Sequence, residues 1–186
     1  VIMTKFMNRR YSFTLSVMLL TGLAAFQLEI FRYTDRVVIN KMFQEGDLHS
    51  WNLGDWSAIS VIGTLSLYSV LKLLLTSISI MLPLPCGAAT PAFALGAVVG
   101  RLFGEIVRIV APSAGTSVGT YAIVGAAAVI SGVTRSLAIV IIVFEITGQL
   151  SHMLPVLAGV LLAYAVASRL SPSIYDVILK IKKLPY

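Results

Sequence analysis

Long apolar runs separated by short polar breaks run the whole length of this chain, and the breaks carry most of the information. The pattern predicts helical segments near 11–31, 34–43, 57–82, 90–111, 120–133, 137–147, 153–170 and 174–184. Segments 11–31 and 57–82 are long enough for the roughly 20 apolar residues that cross a bilayer. Segment 34–43 is short and amphipathic, so it lies at an interface or re-enters. Segments 120–133 and 137–147 are each short for a full crossing and are separated by Thr134-Arg135-Ser136; tilted or re-entrant half-helices fit them.

The break at Pro83-Leu84-Pro85-Cys86-Gly87-Ala88-Ala89-Thr90-Pro91 is the most informative. Its first two prolines end the preceding run, because proline lacks an N–H and turns its neighbour away from helix. Thr90 is then a good N-cap and Pro91 a good first helical residue. The small residues Gly87, Ala88 and Ala89 leave the backbone between them uncovered. A helix starting there aims unpaired N–H groups, and the positive end of its dipole, into a protected space. That is an anion site made of backbone at membrane depth. The plainer alternative is a Pro-rich turn joining two membrane helices. Ser171-Pro172-Ser173-Ile174-Tyr175-Asp176 is a second broken start, where Tyr175 offers a hydroxyl; an interfacial aromatic anchor is the alternative role.

Composition strengthens the membrane assignment. Hydrophobic residues make up 58% and charged residues 12% of 186, with a mean hydropathy of +0.92, far from an average soluble domain. The formal charge of +6 does not indicate nucleic acid, since the basic residues form no stripe with interleaved aromatics. Lys5, Arg9 and Arg10 precede the first run and Lys180, Lys182 and Lys183 follow the last, so both flanks are read as cytoplasmic. The polar stretch 45–56, with Glu45, Asp47, His49, Trp51, Asp55 and Trp56, suits an external loop. No cleavable signal peptide is apparent. The single cysteine, Cys86, excludes an intrachain disulfide.

Charges inside apolar sequence need partners or a cavity. Lys72 either lines an aqueous vestibule or snorkels. Arg101, Glu105 and Arg108 are spaced to pair along one helix face. Gly96, Gly100 and Gly104 repeat every fourth residue, a face that another helix can approach closely. Arg135 and Glu145 pair with each other or cap backbone. Neither H-E-x-x-H nor G-x-S-x-G occurs, and His49 and His152 have no evident nucleophile partner, so an enzyme is not expected, nor is a metal or cofactor.

Several blocks, taken together and in order, resemble the CLC family of chloride channels and chloride/proton exchangers. They are Pro83-Leu84-Pro85-Cys86-Gly87 with Pro91, Gly100-Arg101-Leu102-Phe103-Gly104-Glu105, and Tyr121-Ala122-Ile123-Val124-Gly125-Ala126-Ala127-Ala128. They continue with Val143-Phe144-Glu145-Ile146-Thr147-Gly148-Gln149, His152-Met153-Leu154-Pro155 and Ser173-Ile174-Tyr175-Asp176 with Lys182-Lys183-Leu184-Pro185-Tyr186. The last block most resembles the plasma-membrane channel branch, and Val133-Thr134-Arg135 the intracellular members. The resemblance implies an all-α membrane protein and the second inverted-repeat half of a CLC-type fold, with broken and re-entrant helices. It also implies a homodimer embedded in lipid, with helices near 137–147 and 153–169 at the interface, Leu137, Ile141, Leu157 and Leu161 as contacts, and a separate pore in each subunit. For the site it implies chloride held by Gly87, Ala88, Ala89, Thr90 and Pro91 at a helix start and by the Tyr175 hydroxyl. Ala89 stands where the family usually has phenylalanine, which alters the cavity wall and leaves the backbone donors in place. The family's serine motif and gating glutamate belong to a first half with no counterpart here. The chain is therefore expected to be part of a longer polypeptide that conducts chloride, with chloride/proton exchange as the alternative.

Overall fold

The computed structural model describes residues 10–27, 29–44, 61–80, 87, 89–110, 117–147 and 153–182. Among them the regular structure is entirely helical: α1 (Arg10–Gln27), a 3-10 turn (Glu29–Arg32), α2 (Asp35–Phe43), α3 (Val61–Ile80), α4 (Ala89–Val110), α5 (Val118–Thr134), α6 (Ile139–Thr147), α7 (Met153–Leu170) and α8 (Ile174–Lys182). The polar stretch 45–56, Cys86, Ala88 and His152 lie outside the described residues.

The centre is the pairing of α4 with α5, and small residues make it possible. A Cβ placed on Gly96 would fall 2.6 Å from the Gly125 carbonyl oxygen and 2.8 Å from the Ala126 Cα. One turn on, Gly100 abuts the Tyr121 carbonyl and lies 3.0 Å, at its would-be Cβ, from the Ala122 Cα. The glycine face is thus filled by a neighbouring backbone, so dispersion contacts replace a hydrophobic drive that hydrocarbon does not supply. Phe103 and Tyr121 close the far end edge-on, ring centroids 6.0 Å apart.

Two apolar clusters flank this pair. Ile30, Val38, Met42, Leu65, Tyr68 and Val98 bind the 3-10 turn, α2 and α3 to α4. Ile123, Ile130, Ile139, Val143, Val156 and Val160 bind α6 and α7 to α5.

The expected first segment, 11–31, is not one helix. α1 ends at Gln27 and a 3-10 turn follows. Arg32 at the end of that turn donates to the Phe26 carbonyl at 3.3 Å and lies over the Phe26 ring at 5.6 Å. A cation there satisfies a carbonyl that the ended helix leaves open.

Arg135 follows α5 in the left-handed conformation, φ 59°, and its N–H donates to the Ser131 carbonyl at 2.9 Å. Its guanidinium donates to the carbonyls of Ala167 and Ser171, where α7 ends. Arg135 thus closes one helix with its backbone and a second with its side chain, and Glu145 is exposed. α8 starts on Ser173, whose Oγ accepts the Asp176 N–H at 3.1 Å, an ordinary N-cap after Pro172.

Val61–Ile80 and the stretch Met153–Lys180, interrupted at 171–173, are long and apolar enough to cross a membrane by length and composition. Val70, Leu73 and Leu74 on α3 and Leu154, Leu162 and Val166 on α7 are exposed, as side chains facing hydrocarbon would be.

Candidate functional site

The start of α4 sits between two cavities. α4 begins at Ala89, two residues earlier than the Pro91 start that an N-cap at Thr90 would give, so Thr90 and Pro91 both lie inside the first turn. Proline is tolerated there because the amide it lacks has no intrahelical acceptor in the first turn. By the same rule the Ala89 and Thr90 amides are the described donors that α4 leaves open. A Cβ on Gly87 would meet nothing within 4 Å, so its backbone faces open space among the described residues.

The first cavity, about 540 Å³, is lined by Gly87 and Pro91 on one side and by Lys72, Thr21, Thr76 and Ser79 on others. The second, about 530 Å³, is lined by Ala89, Thr90 and Phe93 from α4, by Arg36 and Asn40 from α2, and by apolar side chains of α5 and α6. The expected site residues therefore divide: Gly87 and Pro91 line one space, Ala89 and Thr90 the other. Tyr175 is the second residue of α8, half exposed, and lines neither cavity.

Lys72 neither snorkels nor stands alone in its vestibule. Its Nζ lies 2.5 Å from the Asp35 Oδ1, with the two side chains 16% and 26% exposed. Arg101 is fully buried: Nε donates to Glu105 at 3.3 Å, and one terminal nitrogen donates to the carbonyls of Met42 at 3.1 Å and Gln44 at 2.5 Å. Arg108 pairs with the other oxygen of Glu105 at 3.1 Å. What sequence alone presents as a self-neutralised edge is an interior bracket holding the last carbonyls of α2.

Sequence reasoning missed Arg36 and Asn40 at the second cavity and the partner of Lys72. The available signal was that Asp35 and Lys72 carry opposite charges in otherwise apolar surroundings, where an unpaired charge is costly. Chemically, the arrangement offers open amides, hydroxyls and cationic groups around a helix start. Such a set can substitute for the hydration of an anion.

The described residues thus combine apolar helices long enough to cross a membrane, a close helix seam and a helix start that opens into two cavities of mixed, largely apolar lining. Residues 2–168 match the family described as voltage gated chloride channel, and the chain belongs to that family of membrane proteins. It is 37% identical over 171 residues to a chloride channel protein of Torpedo marmorata, covering 81% of this chain and 21% of the relative. It is 46% identical over 148 residues to the chloride channel protein clh-3 of Caenorhabditis elegans, covering 75% and 15%. Against human chloride channel protein 2 it is 44% identical over 131 residues, covering 66% and 15%. The chain spans about a fifth or less of the length of these relatives.

Proposed function

We propose that this chain is the second half of the membrane domain of a voltage-gated-type chloride channel subunit, which conducts chloride passively once joined to a complementary first half. The observation that carries this reading is the start of α4, where the open amides of Ala89 and Thr90 meet a largely apolar cavity that also carries Arg36 and Asn40, in a chain of this family. Gly87, Ala88, Ala89, Thr90, Pro91 and Tyr175 form the chloride site in this proposal. Amides and a hydroxyl bind the ion firmly enough to replace water, yet without a formal charge that would trap it. The protein is a transporter of ions and not an enzyme, and needs no cofactor. The plasma membrane is its proposed location.

The test is chloride efflux from liposomes carrying the complete polypeptide, recorded together with internal pH. Chloride loss without coupled proton movement is the expected result. Proton movement in fixed ratio to chloride assigns the exchanger reading instead, and absence of chloride flux overturns both.

A homodimer with one pore per subunit is part of the proposal. Leu137, just ahead of α6, Ile141 on α6, and Leu157 and Leu161 on α7 are all exposed apolar side chains that suit such an interface. The double substitution Leu157→Trp/Leu161→Trp is expected to shift the detergent-solubilised protein from dimer to monomer in light scattering, with chloride flux retained. An unchanged dimer places the contact elsewhere.

A further inference from the structure

α2 is a nine-residue helix (Asp35–Phe43), about 14 Å long at 1.5 Å per residue, and charged side chains from two other helices hold its two ends. At its start, Asp35 is paired with Lys72 of α3 at 2.5 Å. At its end, Arg101 of α4 donates to the carbonyls of Met42 and Gln44. The end also rests on α5, where a Cβ on Gly119 would lie 2.5 Å from the Phe43 carbonyl oxygen. Between the ends, Val38, Ile39 and Met42 are buried, and Phe43 meets Phe93 of α4 edge-on at 6.0 Å.

The placement of this helix matters more than its length. α3 leads into residues 81–88 and α4 leads out of them, so α2 is charge-linked to both helices that flank the candidate anion site. It also reaches the site directly, since Arg36 and Asn40 line the cavity that Ala89 and Thr90 open into, while Lys72 of α3, the partner of Asp35, lines the cavity of Gly87 and Pro91. A half-buried pair in low dielectric holds its separation tightly, because parting the charges leaves each one poorly solvated.

We propose that α2 is a strut that fixes the start of α4 relative to α3, and that Asp35 and Lys72 are positioning residues which set the anion selectivity of the site without touching the ion. This rests on the chloride-site reading above. Weakening the link lets the two flanking helices shift, and the amide donors then present a different spacing to the ion.

The nitrate-to-chloride permeability ratio of the complete polypeptide, taken from reversal potentials, tests this. The ratio does not depend on how many molecules reach the surface, so a purely structural role leaves it unmoved. Asp35→Asn and Lys72→Met are each expected to change it by at least about twofold, the lower end of coupling seen along contiguous networks. The double variant Asp35→Asn/Lys72→Met is expected to match the singles, because both remove the same link. Asp35→Glu keeps the charge, lengthens the arm by one methylene, and is expected to give a smaller shift in the ratio. Ratios equal to the parent's in Asp35→Asn and Asp35→Glu overturn the strut. If Asp35→Asn fails to reach the surface by biotinylation, Asp35→Glu decides alone; failure of both reduces the pair to a folding requirement and overturns the proposal. Ala89→Asp is run alongside. If it abolishes chloride permeation while the Asp35 variants keep the parent ratio, the strut fails and the site reading stands. If it permeates like the parent, the site reading fails and the strut with it.

Discussion

Replacing Ala89 by Asp is expected to empty the proposed chloride site. Ala89 is the first residue of α4 and opens into the cavity it shares with Thr90, Arg36 and Asn40. A carboxylate at the first turn favours the helix, because it sits at the positive end of the dipole. Ala89 also packs against the apolar cluster of α5, α6 and α7, so the uncharged variant Ala89→Asn is the control for packing. The damage is electrostatic: a carboxylate and a chloride about 4 Å apart repel by about 4 kcal/mol at an effective dielectric near 20. That corresponds to about a thousandfold in occupancy. Ala89→Asn has nearly the same size without the charge, and is expected to keep measurable flux. Tyr175→Phe removes one neutral donor, worth about 0.5–1.5 kcal/mol net, and is expected to shift occupancy or selectivity modestly while transport continues. Anomalous scattering from bromide in crystals of the complete polypeptide reads occupancy directly. Bromide bound equally in Ala89→Asp and in the parent, or absent from the start of α4 in the parent, would sink the assignment.

Much of this architecture was legible because membrane chains advertise their helices and the breaks between them. The two prolines ahead of Gly87 and the threonine–proline pair after it place the start of α4 to within two residues, since few backbones accommodate proline. The glycines at 96, 100 and 104 announced a close helix contact, and α5 fills that face. What the sequence could not supply was the identity of partners far apart in the chain. Asp35 and Lys72 are 37 positions apart, and no periodicity links them. Arg101 shows the same limit differently. Its spacing to Glu105 and Arg108 is helical and readable, but its bonds to the carbonyls of Met42 and Gln44 depend on where α2 comes to rest. The site divides along the same line. Open amides at a helix start follow from local rules, whereas the two cavities and the exposure of Tyr175 follow from packing.

The α4–α5 seam carries the second large expectation. Gly96→Val is expected to destabilise the fold by about 3 kcal/mol or more, at or beyond the upper end of ordinary overpacking. The reason is what the new side chain meets. Its Cβ would lie 2.6 Å from the Gly125 carbonyl oxygen, 2.8 Å from the Ala126 Cα and 2.9 Å from the Val129 Cβ. Two of those three atoms are backbone in the middle of α5, so no rotamer change relieves them and the helices must part. Parting them also breaks the reciprocal contact, because Gly125 approaches the Gly96 carbonyl oxygen and the Gly100 Cα equally closely. Gly132 on the same helix α5 provides the contrast. A Cβ there would touch the Ala167 Cβ at 3.6 Å, an ordinary van der Waals contact. Gly132→Ala is therefore expected to gain about 0.5–1 kcal/mol from reduced backbone freedom. Thermal unfolding in detergent, followed by size-exclusion fluorescence, should lower the midpoint for Gly96→Val and raise it slightly for Gly132→Ala. Equal midpoints for the two variants would mean that the glycine face does not set the α4–α5 distance, and the seam would then have to be held by the flanking apolar clusters alone.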